Sequence, residues 1–322
     1  VVERKALGGI GLDATWNDDF HHSLRTVVTG DRSGYYMDFG EVGQLGKAFA
    51  EGFVRDGSYS EFRQRRHGRS SRGLEAERFV VFSQNHDQTG NRMMGERLAV
   101  LTDFERLKTA AAACVLSPFV PLLFMGEEFA ETAPFLYFVS HGDEGLVEAV
   151  RAGRKREFAA FAWQGEPPDP QAEETFLSSK LKWHLREHGR HAAMLALYRE
   201  MLRLRKSTPA LATLRKEQSE AWWDESARVV MVRRWAGRDE ALLVVALGGD
   251  AGVEAPVKAA RWVKVLDTTA PQWMGERAAF PAEMGAGLAV AAGTVGAAVY
   301  RKRRETRRKQ AAAEAAVVEN EA

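Results

Sequence analysis

The clearest pattern along the chain is a change of hydrophobic period. Up to Leu204, apolar positions recur at helical spacing around short apolar runs; beyond Pro209 they alternate every second residue. Phe79-Val80-Val81-Phe82 is β-branched and aromatic throughout, as in a strand covered on both faces, and it stops abruptly at Ser83-Gln84-Asn85-His86-Asp87. A helix is expected next, because Thr102 and Glu105 have capping-box spacing and Phe104, Leu107, Ala111 and Cys114 follow on one face. Residues 120–125 read as a second strand that runs out into Gly126-Glu127-Glu128. Further helices are predicted over 146–161, weakened by Gly153, and over a run that gathers Met194, Leu197, Tyr198, Met201 and Leu204 on one face before Pro209 stops it. Residues 228–235, 241–247 and 261–266 then read as strands, with turns at Gly237-Arg238-Asp239 and Gly248-Gly249-Asp250. Residues 288–291 and 297–300 close a small antiparallel β domain whose boundary falls near 206–220.

Strand, helix and strand thus succeed one another, and each strand ends in carboxylates. Polar, reactive residues at the C-terminal ends of parallel strands are the layout of a (β/α)₈ barrel active site. An ordinary βαβ unit with solvated loop acids fits the same pattern.

Composition narrows the class. The 322 residues have room for about two domains, and 45% hydrophobic with 28% charged residues is ordinary for a globular protein. The single cysteine, Cys114, excludes an internal disulfide and suits a reducing cytoplasm. A net charge of +1 hides a basic end: residues 301–322 hold seven Lys/Arg against four Glu. The rest is close to neutral, so no nucleic-acid partner is expected. The end itself reads as a disordered, solubilising tail, with a nucleic-acid or membrane-surface contact as the sharper alternative. No signal peptide is evident from Val1 to Leu12, and the apolar stretches 110–125 and 285–300 are too broken or too short to span a membrane. The chain begins at Val1 rather than a methionine, which implies processing or a missing upstream part.

Two segments concentrate chemistry. Trp16-Asn17-Asp18-Asp19-Phe20-His21-His22 and Asn85-His86-Asp87 set acids, imidazoles and amides beside aromatic rings. A sugar site needs this mixture: planar polar groups for the hydroxyls, ring faces for the apolar side of the pyranose, and a carboxylate to favour an oxocarbenium-like transition state. A metal site and a structural cluster are the alternatives. The adjacent His21 and His22 are expected to diverge, and no H-E-x-x-H or C-x-x-C accompanies them, so no metal is expected. No G-x-S-x-G elbow, P-loop or dinucleotide fingerprint occurs, and no cofactor is implied.

FVVFSQNHDQTGNR at residues 79–92 resembles the fourth conserved region of the α-amylase family, an aromatic strand followed by Asn-His-Asp. Its extended form is similar to the maltooligosyltrehalose trehalohydrolases, as are GLDATWNDDFHHSL (11–24), TGDRSGYYMDF (29–39), PFVPLLFMGEEFAETAPFLYF (118–138) and GRKREF (153–158). The resemblance runs from residue 1 to about 206. It implies an α/β fold: the last three βα units of a TIM barrel in residues 1–206, an antiparallel β-sandwich in 207–300, and a tail in 301–322.

The resemblance also implies the reaction: hydrolysis of the α-1,4 bond next to the terminal trehalose of maltooligosyltrehalose, by a retaining double displacement. Asp87 matches the carboxylate that stabilises the transition state. Asn85, His86, Gln88, Arg92, Trp16, Asp19, His21 and Glu128 are expected around the sugar. Asp19 has a structural alternative as a cap or ion pair, Trp16 as core, and Glu128 as a brace through an arginine such as Arg92. The expected partner is maltooligosyltrehalose or a related α-glucan, with no obligate protein partner. The nucleophile and acid/base segments of the family are absent; Leu12-Asp13-Ala14 imitates the first but lacks its arginine. The chain therefore reads as a C-terminal fragment, inactive alone. Other α-amylase-type hydrolases, a branching-type transglycosidase and a non-catalytic carbohydrate-binding fragment are the alternatives.

Overall fold

A computed structural model of the chain describes residues 1–159, 166–254, 256–257, 262–284 and 289–302. The expected tail therefore lies outside the described residues, apart from Arg301 and Lys302.

Strand β1 (Thr15–Trp16) passes directly into helix α1 (Asp18–Thr29). Asn17 makes the switch: its side-chain oxygen accepts the Phe20 N–H at 3.1 Å, and its amide donates to Gly52 O at 2.8 Å. Asp18 and Asp19 fill the first turn, where negative charge suits the helix dipole. Helix α2 (Val42–Glu51) starts from a Glu41/Gln44 capping box and ends at Gly52. There φ is +101°, and a Cβ would sit 2.5 Å from the Phe79 ring, so only glycine fits. A hairpin of β2 (Asp56–Ser60) and β3 (Arg65–Gly68) follows.

Strand β4 (Phe79–Val81) pairs in parallel with β1 on one side and with β5 (Val120–Pro121) on the other. The regular part of β5 is shorter than the expected 120–125. Pro121 has no N–H to extend the ladder, and only Leu122 N still donates to Val81 O, at 2.8 Å. Between the two strands come α3 (His86–Gly90), α4 (Leu98–Leu101) and α5 (Phe104–Val115). The cap of α5 corrects the sequence expectation. Asp103, not Thr102, accepts the Arg106 N–H, at 2.8 Å, while the Thr102 hydroxyl donates to Val28 O at 3.2 Å. An Asp beside a Thr offers two caps one residue apart, and α1 claims the threonine.

Then follow α6 (Glu144–Ala159), α7 (Glu173–Ser178), α8 (Gly189–Ser207) and the short α9 (Pro209–Ala212). The five apolar residues expected on one face of α8 are the five it buries. The end of the helix expected over 146–161 falls outside the described residues.

Strands β6 (Ser219–Asp224), β7 (Val229–Ala236), β8 (Asp239–Leu247), β10 (Trp262–Asp267), β11 (Glu283–Met284) and β13 (Val295–Lys302) make one antiparallel sheet in the order β11-β10-β13-β8-β7-β6. The strands β9 (Val253–Glu254) and β12 (Ala289–Val290) form a separate ribbon. Ala236 pairs with Asp239, so Gly237 and Arg238 alone make the β7–β8 turn, with Gly237 at φ +59°.

This sheet is covered on both faces. Leu243, Val245 and Leu247 join Phe79, Phe119 and Leu197 in one core, whereas Leu242, Val244 and Ala246 pack with Met231, Phe280 and Tyr300 in a second. The helices, the parallel strands and one face of the antiparallel sheet thus share a single apolar interior. Among the described residues, no helix is long and apolar enough to cross a membrane.

Candidate active site

The C-terminal ends of β1 and β4 lie side by side, and both end in polar side chains. After β4 the chain turns sharply, because the Asn85 side chain accepts the N–H groups of Asp87 (2.9 Å) and Gln88 (3.2 Å) and starts α3 at once. That cap buries Asn85 and leaves His86 and Asp87 facing outward, their side chains 57% and 55% exposed. His86 Nε2 stands 3.2 Å from Asp87 Oδ1. The His86 ring meets Trp16 edge-on at 5.3 Å, and Trp16 in turn meets Phe82 at 5.9 Å. Gln88 donates to Asp18 Oδ1 at 3.0 Å, tying the two strand ends together. Trp16, Asn85, His86, Asp87 and Gln88 therefore form one group, as their motifs imply.

Asp18 belongs to it as well, although sequence reasoning chose its neighbour Asp19. Partial desolvation raises the Asp18 carboxyl above its ordinary range; the Gln88 hydrogen bond opposes this, and the charges of Asp19 and Asp87 add to it. The carboxylate of Asp19 is occupied: its Oδ2 accepts the N–H groups of Val54 (2.9 Å) and Arg55 (2.7 Å) and pins the β2–β3 hairpin to the start of α1. Nothing in the sequence distinguishes two adjacent aspartates except helical phase.

His21 lies behind this group, fully buried. Its Nε2 is 3.0 Å from the Tyr36 hydroxyl and its ring stacks on Phe82 at 5.4 Å. Burial holds its imidazole well below the ordinary range, with His22 and Arg25 adding to the effect. The adjacent histidines do not diverge as expected: their ring centroids lie 5.5 Å apart, because His22 folds back against Tyr35 and Tyr36. Burial, then the charge of Arg25, lowers the His22 imidazole to about 3. Among the described residues, no three His, Cys, Asp or Glu side chains are grouped to hold a metal ion.

Arg92 and Glu128 do not meet as a brace. Arg92 grips Glu96 through two nitrogens (3.1 and 3.2 Å) and approaches Asp31 at 3.6 Å, whereas Glu128 Oε2 accepts the Gly126 N–H at 2.9 Å. The neighbouring Glu127, passed over in the sequence, is the buried member of the pair. It accepts the hydroxyls of Tyr198 (3.0 Å) and Ser83 (3.3 Å), and burial pushes its carboxyl up to about 7. Two more buried polar atoms belong to this strand end: Asn85 Nδ2 and Gln88 Oε1 have no hydrogen-bond partner among the described residues.

Comparison with solved structures defines the class first. A crystal structure from Salmonella typhimurium, described as a candidate α-amylase, superposes with a TM-score of 0.74 at 33% identity, covering 90% of this chain and 47% of that one. The α-amylase of H. orenii shares the fold at a TM-score of 0.51 and 14% identity, covering 91% of this chain and 49% of its own. The fold is the α/β architecture with an added β region seen in α-amylase-type enzymes.

Curated relatives then give the particular family. The malto-oligosyltrehalose trehalohydrolase of Rhizobium sp. M-11 is 43% identical over 240 residues, which is 74% of this chain and 40% of the enzyme. That of Saccharolobus solfataricus is 45% identical over 206 residues (64% and 35%), and that of Deinococcus radiodurans 42% over 252 residues (77% and 42%). The chain is thus a sequence relative of the malto-oligosyltrehalose trehalohydrolases and spans about two fifths of their length. No family model matches the chain.

Proposed function

We propose that this chain forms one wall of a glycosidase site that cleaves the α-1,4 bond beside the terminal trehalose of maltooligosyltrehalose. The observation that carries the reading is the placement of Asp87: it projects from a capped turn at a parallel-strand end, beside Trp16, His86 and the Asp18–Gln88 pair. In a retaining double displacement, the carboxylate of Asp87 offsets positive charge building on the anomeric carbon and ring oxygen. Trp16 and His86 offer ring faces and edges to the pyranose. The orphaned amide atoms of Asn85 and Gln88 support the reading, because each costs ~1–3 kcal/mol while unpaired and a sugar hydroxyl would satisfy it.

The nucleophile and acid/base segments are not among these 322 residues. On this reading, residues 1–206 are the last three βα units of a (β/α)₈ barrel and the C-terminal β module runs from 207 through Lys302, two residues past the expected boundary at 300, because Arg301 and Lys302 still pair in β13; the tail begins after them. Among the described residues no strand pairs with the outer edge of β1 or of β5, which fits an incomplete barrel. We place the enzyme in the cytoplasm, on the single buried cysteine.

The test is trehalose release from maltooligosyltrehalose. The chain alone should release none. Joined to the upstream part of a relative it should turn over, and Asp87→Asn in that enzyme should lower kcat by about three orders of magnitude or more. Turnover by the chain alone, or a mild effect of Asp87→Asn, would overturn the proposal. Transfer products from glycogen would point instead to a branching-type transglycosidase. Oligosaccharide binding without turnover in the joined enzyme would point to a binding fragment, the second reading, which the presence here of one of the three catalytic carboxylates that the resemblance implies favours.

A further inference from the structure

Glu127 follows β5 in a short turn (Glu127–Phe129), where its carboxyl meets side chains from the end of β4 and from α8. Resting on the glycosidase reading above, we propose that Glu127 is a positioning residue for Asp87: from the β5 side it grips Ser83 and Gln84, the residues that lead from β4 into the Asp87 turn.

The turn is braced from both neighbouring strands. On the β1 side, Asp18 accepts from Gln88 at 3.0 Å. On the β5 side, Glu127 Oε2 accepts the Ser83 hydroxyl at 3.3 Å, and the Gln84 amide donates to the same carboxyl. Gln84 is itself fixed, because its Oε1 takes the Leu98 N–H at 3.0 Å and ties the start of α4 to this point. Ser83, Gln84 and Asn85 are all buried, and Asn85 in turn accepts the N–H groups of Asp87 and Gln88. A shift of the Glu127 carboxyl is therefore passed through packed residues to the backbone from which Asp87 projects.

Glu127 differs from a passive strut because its three partners are neutral donors: Ser83, Gln84 and the Tyr198 hydroxyl at 3.0 Å. No ion pair reaches it among the described residues. Of the nearby cations, Arg97 donates to Ala133 O and Met125 O (both 2.7 Å), and Arg205 to the carbonyls of Val115, Ser117 and Phe119. The acids on its own loop are occupied as well, Glu128 by Gly126 N and Glu131 by the N–H groups of Thr132, Ala133 and Lys182. Burial pushes the Tyr198 hydroxyl and the Cys114 thiol of α5 well up, so both keep their protons. The same burial brings Glu127 to about 7, which makes it the member of this cluster that changes charge near neutral pH.

That change alters the grip. An ionised carboxylate accepts from all three donors at once, whereas a protonated one turns one oxygen into a donor. With the Gln84 amide fixed, protonation reverses or breaks one of the two hydroxyl bonds. The Asp87 turn is thus held most firmly when Glu127 is ionised.

The first measurement uses the 322-residue chain and needs no turnover. In a His86→Gln background, so that no imidazole stands beside the turn, NMR follows the Glu127 carboxyl carbon and the amides of Ser83 to Gln88 with pH. The amides are expected to move with the carboxyl, at a midpoint of about 7, and to stay still once Glu127→Gln is added. Tyr198→Phe removes a hydrogen bond that holds the carboxyl down, so it should shift the midpoint upward and leave the coupling in place. The second measurement is trehalose release by the joined enzyme. Glu127→Gln should lower kcat about tenfold at pH 8, the size of one lost hydrogen bond to a charged group, and by about twofold or less at pH 6, with KM little changed. A merely structural role predicts otherwise, since removing the buried charge stabilises the fold at pH 8. Amides that stay still while the carboxyl titrates, a titration that survives Glu127→Gln, or a kcat ratio independent of pH would each overturn the proposal. Amides that follow the carboxyl, in a joined enzyme that releases no trehalose, would uphold the coupling and sink only the glycosidase reading.

Discussion

Glu127 shows most clearly how burial sets chemistry at one residue. Its carboxyl is held between Ser83 and Tyr198 with 4% of the residue exposed, and desolvation raises it from 4.5 to about 7. In the unfolded chain the proton leaves near 4.5; in the fold it stays until about 7. Between those values the folded state binds more protons, so this group's contribution to stability declines as pH rises through that window and is flat beyond it. The shift corresponds to about 3 kcal/mol. Glu127→Gln removes the titration while keeping the shape and the hydrogen-bonding oxygen. Its stability relative to the parent should therefore improve by about that amount between pH 4 and pH 8. Urea denaturation at the two pH values measures it, and an equal difference at both would mean the carboxyl ionises normally. His21 and His22 have lowered values and act with the opposite slope, stability falling as pH drops below their ordinary 6.5, but that contribution cancels in the comparison.

Between elements, buried cations join the two halves of the molecule by their backbone carbonyls. The C-terminus of α5 ends without a glycine, and its carbonyls at Leu116 and Ser117 receive Arg234 Nη1 from β7 at 2.9 and 2.8 Å. Arg234 Nη2 reaches Leu211 O (3.0 Å) and Thr213 O (2.5 Å), so one side chain closes two chain ends. Arg205 from α8 serves Val115, Ser117 and Phe119 in the same way. Burial lowers the Arg234 guanidinium to about 9, with the charge of Arg205 adding to the effect. Arg234→Met should cost about 3–5 kcal/mol, because it leaves buried carbonyls unpaired, and Arg234→Lys should recover part of it. A urea midpoint for Arg234→Met within about 0.5 kcal/mol of the parent would contradict this account. None of this was legible in the sequence, where Arg234 sits in a strand pattern as an ordinary outward charge. What was legible had a strong period or a motif: the buried face of α8, the apolar run of β4, the β7–β8 hairpin and the Asn85-His86-Asp87 turn. The β2–β3 hairpin escaped notice because both its faces are largely exposed, so no alternation marks it. The capping shift from Thr102 to Asp103 and the exchange of Asp18 for Asp19 are one-residue ambiguities that only tertiary partners resolve.

At the scale of the whole molecule, the antiparallel sheet is not an appendage. Val230, Val232, Leu243, Val245 and Val299 are all fully buried, and they belong to the same cluster as Phe20, Phe49, Phe79 and Phe119. Lys108 of α5, fully buried, reinforces the junction by donating to Thr268 O (2.7 Å) and Trp273 O (3.0 Å). A change of hydrophobic period in the sequence near Pro209 therefore marks a change of secondary structure without dividing the interior. If so, the chain should unfold in one transition, with near-ultraviolet and far-ultraviolet circular dichroism giving the same midpoint. A polypeptide ending at Ser207 should fail to fold, since α2, α5 and α8 would turn their apolar faces to water. It should bind a hydrophobic dye, lack a cooperative melt and associate at micromolar concentration. A soluble, monomeric 1–207 chain with a sharp melt, or two separated transitions in the whole chain, would show that the two parts are stable independently and that their shared core contributes little.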